Sequence, residues 1–215
     1  MNKEKTQRVL NYFHELFPDA SCELNHSNVF ELIVAVMLSA QTTDKKVNQV
    51  TEHLFQKYPT IESYANASLE DLQQELKTIG LYRNKAKNLK KLAQTLLQDY
   101  DGKIPDNRKD LESLPGVGRK TTNVVLSVGY NVPAFAVDTH VERIAKRLGF
   151  AKKDDSVLTV EKKICRSIPR NLWNQSHHQF IFFGRYFCKA LQPNCQECHL
   201  YDMCKDEIKK KRRTL

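Results

Sequence analysis

The sequence predicts an all-α protein built of many short helices, and three observations carry that prediction. Apolar residues return at three- and four-residue steps along nearly the whole chain, no alternating strand pattern persists, and proline or glycine closes most of the stripes. Val9, Leu10, Phe13, Leu16 and Phe17 make the first stripe, stopped by Pro18. Val29 to Leu38 is a continuous apolar run that is too short to span a bilayer and carries Glu31, so it reads as a buried helix. Val47, Val50, Leu54 and Phe55 precede Pro59. Ser68 with Asp71 resembles a capping pair that opens a helix through Leu72 and Leu76 to Gly80. Leu89, Leu92, Leu96 and Leu97 carry the next helix to the Asp101-Gly102 turn. Later stripes are Val124 to Val128, then Val141, Ile144 and Leu148 before Gly149, then Val160, Ile164 and Ile168 before Pro169. Phe180, Phe183 and Phe187 form the last, which delivers Cys188 at its end.

A chain of 215 residues has the length for a sizeable core in one domain or two, and no repeat or low-complexity linker marks a boundary. Its start, Met1-Asn2-Lys3-Glu4-Lys5, lacks the apolar core of a signal peptide, so the protein is expected to be soluble and cytoplasmic, with no membrane partner. Lys and Arg exceed Asp and Glu by 34 to 25, and the resulting charge of +9 favours an anionic partner. Two basic clusters sharpen this expectation: Arg83, Lys85, Lys87, Lys90 and Lys91, and the closing run Lys209-Lys210-Lys211-Arg212-Arg213. A solvated helix face accounts equally for the first, and a disordered tail accounts better for the second.

Four of the six cysteines crowd into Cys188-x6-Cys195-x2-Cys198-x5-Cys204. Such short gaps let four thiolates turn back onto one centre, and a reducing compartment disfavours the alternative of two disulfides. Zinc and an iron–sulfur cluster both accept four cysteines, so the spacing identifies the ligands better than the metal. Cys22 and Cys165 lie far off and read as packing thiols.

Leu114-Pro115-Gly116-Val117-Gly118-Arg119-Lys120 lies between two helical segments. Pro115 ends the first helix, and both glycines permit positive φ and the close approach of another backbone. The amides that open the second helix then point outward at the positive end of its dipole, a seat for phosphate. A helix, this hairpin and a second helix in a basic chain make an element that grips DNA backbone without reading bases. Lys120 falls in the first turn, where the dipole disfavours its ammonium form and makes some neutral amine available as a nucleophile. Contact with phosphate is the commoner fate of such a lysine. Asp138, in Val137-Asp138-Thr139-His140, either caps the helix that follows or supplies a carboxylate to accept a proton or face a cationic sugar.

The hairpin, the segment Ala136 to His140 and the terminal cysteine spacing together resemble the endonuclease III family of DNA glycosylases. The likeness also takes in Leu38-Ser39-Ala40-Gln41-Thr42-Thr43-Asp44 and Thr78-Ile79-Gly80-Leu81-Tyr82, so it covers nearly the whole chain. It implies a base-excision repair enzyme that removes oxidised pyrimidines from duplex DNA and then cleaves 3′ to the abasic site. It implies two helical domains flanking a DNA groove: a six-helix barrel with the helix-hairpin-helix over 23–132, and a discontinuous iron–sulfur cluster domain from 1–22 and 133–215. It further implies one [4Fe–4S] cluster, chiefly structural, on Cys188, Cys195, Cys198 and Cys204, and a monomer acting on damaged double-stranded DNA, nucleoid-associated if bacterial.

Carried over residue by residue, the resemblance makes Lys120 the attacking amine and Asp138 its assistant. Gly116, Val117, Gly118 and Arg119 would hold DNA, and Gln41 and Leu81 would enter the duplex where the damaged nucleotide leaves it. Ser39, Asp44, Glu112 and His140 are candidates for pocket support, although capping and solvent exposure explain Asp44 and Glu112 as well. The chain departs from the family in the loop Lys189 to Asn194, which has one basic residue where several are usual. A monofunctional mismatch glycosylase would lack Lys120, a non-catalytic DNA clamp would release no base, and a redox regulator would bind DNA according to cluster oxidation state.

Overall fold

The computed structural model describes residues 1–207, so the basic run from Lys209 to Arg213 lies outside the described residues. Eleven α-helices run through them: α1 (Lys3–Leu16), α2 (Val29–Leu38), α3 (Asp44–Lys57), α4 (Ile61–Asn66), α5 (Leu69–Leu76), α6 (Tyr82–Tyr100), α7 (Arg108–Ser113), α8 (Arg119–Val124), α9 (Thr139–Leu148), α10 (Val157–Ser167) and α11 (Trp173–Phe182). An isolated antiparallel bridge between Cys188 and Pro193 is the extended pairing recorded among them, and the fold is all-α as expected. No helix among the described residues is long and apolar enough to cross a membrane.

The chain divides into two compact units, Cys22–Val132 and the combination of Met1–Ser21 with Pro133–Leu215. In the continuous unit, α2 presents eight buried residues from Phe30 to Leu38, which explains its unbroken apolar run. Leu54, Leu72, Leu76, Leu89, Leu92 and Leu96 are fully or almost fully buried in this unit. Each such side chain contributes about 1.5–3 kcal/mol relative to exposure. In the discontinuous unit, Phe13 of α1 sits 5.0 Å from Phe180 and 4.5 Å from Phe183, joining the start of the chain to its last helix. Arg8 adds a paired contact to Asp202 and donates to the His199 carbonyl, and Tyr12 Oη donates to the Glu197 carbonyl at 3.2 Å.

Local departures from the sequence expectations have physical causes. The Ser68 hydroxyl accepts from Asp71 N at 3.0 Å as expected, but α5 stops at Leu76, and the chain turns through 77–80 with Ile79 N bonded to Leu76 O. The stripe from Val124 to Val128 is α-helical only to Val124 and then becomes a π turn over Val125–Gly129. A second π turn, Phe183–Phe187, follows α11 and precedes Cys188. Gly184 belongs there because a β-carbon at that position would come within 2.9 Å of His140 Cβ on α9. Helix α4 has too few residues to show periodicity, yet its capping box was readable in Thr60 and Ser63.

Candidate functional site

Helix α6 organises the first part of the site. The residue that precedes its first turn, Leu81, is left-handed at φ 59° and 53 % exposed, an unusual place for a bulky apolar side chain. Gln41 is also exposed and left-handed, at φ 55°. The two loops lie together, since the Gln41 carbonyl is 3.6 Å from the position a Gly80 β-carbon would take. Ser39 closes α2, its hydroxyl donating to Val36 O at 2.8 Å. Asp44 opens α3 behind the cap Thr43, where an acidic residue suits the helix dipole.

Lys85, read in the sequence as one of a solvent-facing basic cluster, is buried instead, with its ammonium donating to Leu38 O (2.9 Å), Ala40 O (2.7 Å) and Thr42 Oγ1 (3.1 Å). Burial pushes its pKa down. The signal was present in the sequence: Lys85 stands four residues before Leu89, on the same helical stripe. Lys90 is likewise engaged, donating to Ala67 O at 2.7 Å.

The hairpin sits between α7 and α8. Val117 N bonds to Leu114 O at 3.1 Å, tightening the turn, and Thr122 N bonds to Gly118 O at 2.9 Å. Gly116 has φ 77°, and an added β-carbon would lie 2.5 Å from Met37 Cε and 3.0 Å from Asn88 Cβ, so α2 and α6 seat the turn closely. Gly118 corrects the expectation of two positive-φ glycines: its backbone is extended (φ −95°, ψ −179°) and nothing lies within 4 Å of where a β-carbon would stand. Its lack of a side chain therefore matters outward, toward a ligand, rather than inward. The Val117 side chain is buried at 4 % exposure and its amide closes the turn on Leu114 O.

Helices α1 to α5, α7, α9 and α10 start on side-chain caps, whereas α8 starts on Gly118 without one. The first amides of α8 thus have no capping side chain and suit an external anion. Arg119 and Lys120 are both exposed in that first turn. Glu112 accepts from Arg108 at 2.9 Å and stands 3.8 Å from Arg119, while Arg108 also donates to buried Asn123 at 2.6 Å. This network fixes the flank of the hairpin, and the sequence reading had identified Glu112 and Arg119 but neither Arg108 nor Asn123.

In the other unit, Asp138 is half-buried and caps α9 through Oδ1, which accepts from Val141 N at 2.8 Å. His140 packs against Gly184, with Nδ1 3.3 Å from Arg143 Nη2. Burial pulls the His140 pKa below the usual imidazole value, partly opposed by Asp138.

Cys188, Cys195, Cys198 and Cys204 line one small cavity with Arg147, Leu148, Phe183 and Phe187. No two of the six cysteines are joined in a disulfide. Burial raises the Cys188 thiol and pushes Cys198 up to about 11, so four bare thiolates would repel one another in a poorly solvated space. A metal centre held by the four sulfurs would supply the missing positive charge. No three His, Cys, Asp or Glu side chains among the described residues are placed to share a single ion. Four thiols spaced around a cavity suit a cluster that offers each cysteine its own iron. Arg147, missed in the sequence reading, is buried beside them and donates to Cys188 Sγ (3.3 Å), Lys189 O (2.9 Å) and Ala190 O (3.3 Å) while pairing with Asp206.

The model of the HhH-GPD superfamily of base excision DNA repair proteins matches residues 34–170. The endonuclease III of Bacillus subtilis strain 168 is 54 % identical over all of this chain and 98 % of its own length. This chain belongs to the endonuclease III family. Endonuclease III of Escherichia coli K12 is 42 % identical over 95 % of this chain and 96 % of its own. Among solved structures, the protein in a trapped endonuclease III–DNA covalent intermediate is 52 % identical, covers 99 % of each chain and superposes with a TM-score of 0.95. A thermostable thymine-DNA glycosylase, 22 % identical with a TM-score of 0.82, shares the fold.

Proposed function

We propose that the chain is a bifunctional DNA N-glycosylase and abasic-site lyase that removes oxidised pyrimidines from damaged duplex DNA. The observation that carries this reading is Lys120, exposed in the first turn of an uncapped helix directly behind the glycine hairpin. The hairpin and the first amides of α8 bind phosphate and hold the backbone, leaving sequence unread. Because C1′ is shielded in a duplex, the damaged nucleotide is first extruded, and Gln41 and Leu81 fill the space it leaves.

The Lys120 nitrogen attacks C1′ through its lone pair as the C1′–N bond to the base breaks and its electron pair leaves with the base. The nitrogen then loses a proton to Asp138, the nitrogen lone pair displaces O4′ from C1′ as that proton passes to O4′, and the opened sugar is left joined to Nζ as a protonated imine. Loss of a C2′ proton drives elimination of the 3′ phosphate, and water releases the enzyme. Asp138 serves both as helix cap and as carboxylate, one oxygen to each role. The four cysteines would hold a [4Fe–4S] cluster, which would brace the loop that Arg147 grips. The protein acts as a monomer in the cytoplasm, on the nucleoid.

Borohydride reduction tests the mechanism directly. Wild-type protein should yield a covalent adduct with DNA bearing an oxidised pyrimidine, with the deoxyribose mapped to residue 120 by mass spectrometry. Lys120→Ala should yield neither adduct nor strand cleavage; full cleavage by that variant would overturn the reading.

A further inference from the structure

Lys85 is a buried ammonium without a carboxylate partner at any of its recorded bonds. All three of its donors are spent on Leu38 O, Ala40 O and Thr42 Oγ1, the segment that contains Gln41. Its placement is unfavourable on two counts: a desolvated charge is costly, and the first turn of α6 presents the positive end of the helix dipole to it. An apolar residue on this stripe would serve the core better. What the lysine supplies is constraint on a loop that holds itself weakly, through Thr42 N to Ser39 O at 3.1 Å and Thr42 Oγ1 to Ala40 O at 3.4 Å.

The loop needs that constraint because Gln41 is left-handed at φ 55°, a conformation in which the β-carbon of an L-residue crowds its own backbone. Lys85 grips the residues on both sides of it, Ala40 and Thr42. The second left-handed residue, Leu81, is reached through this loop, because the Gln41 carbonyl packs 3.6 Å from where a β-carbon of the adjoining Gly80 would stand. The ammonium thus holds one left-handed, exposed position directly and the other by way of the packing between their two loops.

We propose that Lys85 is a positioning residue that holds Gln41 and Leu81 in the geometry from which they enter the duplex, so that nucleotide extrusion depends on it while bond breaking at C1′ does not. The inference rests on the reading of Gln41 and Leu81 as the residues that fill the duplex.

The test compares two substrates under single turnover, with the holoprotein: an oxidised pyrimidine paired in a duplex, and the same lesion in an unpaired bubble flanked by duplex arms. Lys85→Met keeps the stem and removes the donors. It should slow base release from the paired lesion by about 10- to 100-fold, the scale of an ångström-sized misplacement, and leave the bubble rate within about threefold. Thr42→Val, which removes one of the three acceptors, should show the same selectivity with a smaller loss, and it carries the test if Lys85→Met does not fold. Equal losses on both substrates, or none on the paired one, would overturn the proposal. Gln41→Ala and Leu81→Ala separate the underlying reading: if neither slows the paired substrate, that reading fails. If both slow it and Lys85→Met does not, the positioning role alone fails. Added to the Gln41→Ala/Leu81→Ala background, Lys85→Met should cost little more, since it acts through residues already removed.

Discussion

Gly116→Ala and Gly118→Ala look alike in sequence and should behave oppositely in the folded protein. At 116 the alanine must adopt φ 77°, and its methyl group meets Met37 Cε at 2.5 Å and Asn88 Cβ at 3.0 Å. The left-handed backbone costs about 1–2 kcal/mol. The methionine tip can swing aside, but the Asn88 β-carbon is fixed to α6, and overpacking of that kind costs about 1–3 kcal/mol. Together these give about 2–5 kcal/mol, or a fall in melting temperature of roughly 4–20 °C for a protein of this size. At 118 the backbone is extended and the space is open, so the melting temperature should shift by no more than the roughly 0.5 kcal/mol of a neutral surface change. Duplex affinity should nevertheless fall, because the new methyl group would project into the phosphate seat proposed at the start of α8. The assay is thermal unfolding by circular dichroism, paired with equilibrium binding to an abasic-analogue duplex at one salt concentration. If Gly118→Ala destabilises as much as Gly116→Ala, or if Gly116→Ala melts like wild type, the argument from seating is refuted.

Asp138→Asn should separate the two duties of that side chain. The amide oxygen still caps α9, so thermal stability should stay within about 0.5 kcal/mol, whereas single-turnover base release should fall about 10²- to 10⁴-fold; unchanged turnover would remove Asp138 from the chemistry. His140 should contribute a pH-dependent loss of stability. Its pKa is lowered in the folded state, so the unfolded chain takes the proton first as pH falls, and stability present above the ordinary imidazole value of about 6.5 is lost across the window down to the lowered value. His140→Asn should flatten that part of the curve of unfolding free energy against pH, and an identical slope would refute it.

Most of the helical framework was legible in the sequence because apolar stripes at 89, 92 and 96, or at 141, 144 and 148, record one face of a helix directly. The hairpin was legible as well, since glycine flanking a buried valine leaves few alternatives. What escaped the sequence depends on contacts between distant segments. Gly116 and Gly118 are the same residue type two positions apart, and only the presence of Met37 and Asn88 beside one of them sets their different duties. Lys85 counted toward a basic cluster and Arg147 stood in none, yet both turn inward to satisfy carbonyls on segments far from them in the chain. The π turns at 125–129 and 183–187 escaped because their apolar positions also fit an ordinary helix.

Helix α1 finds Phe180, Phe183 and the 197–202 segment only after almost the whole chain has been made. At roughly 5–20 residues per second of synthesis, Val9, Leu10 and Phe13 wait about 10–40 s for those partners. Residues 22–132 form a compact unit of their own, and all of its sequence is made before the 197–202 segment appears. Birth at the ribosome is therefore asymmetric: the half that carries the hairpin has all its sequence early, while the half that carries the cysteines can close only when synthesis is nearly over.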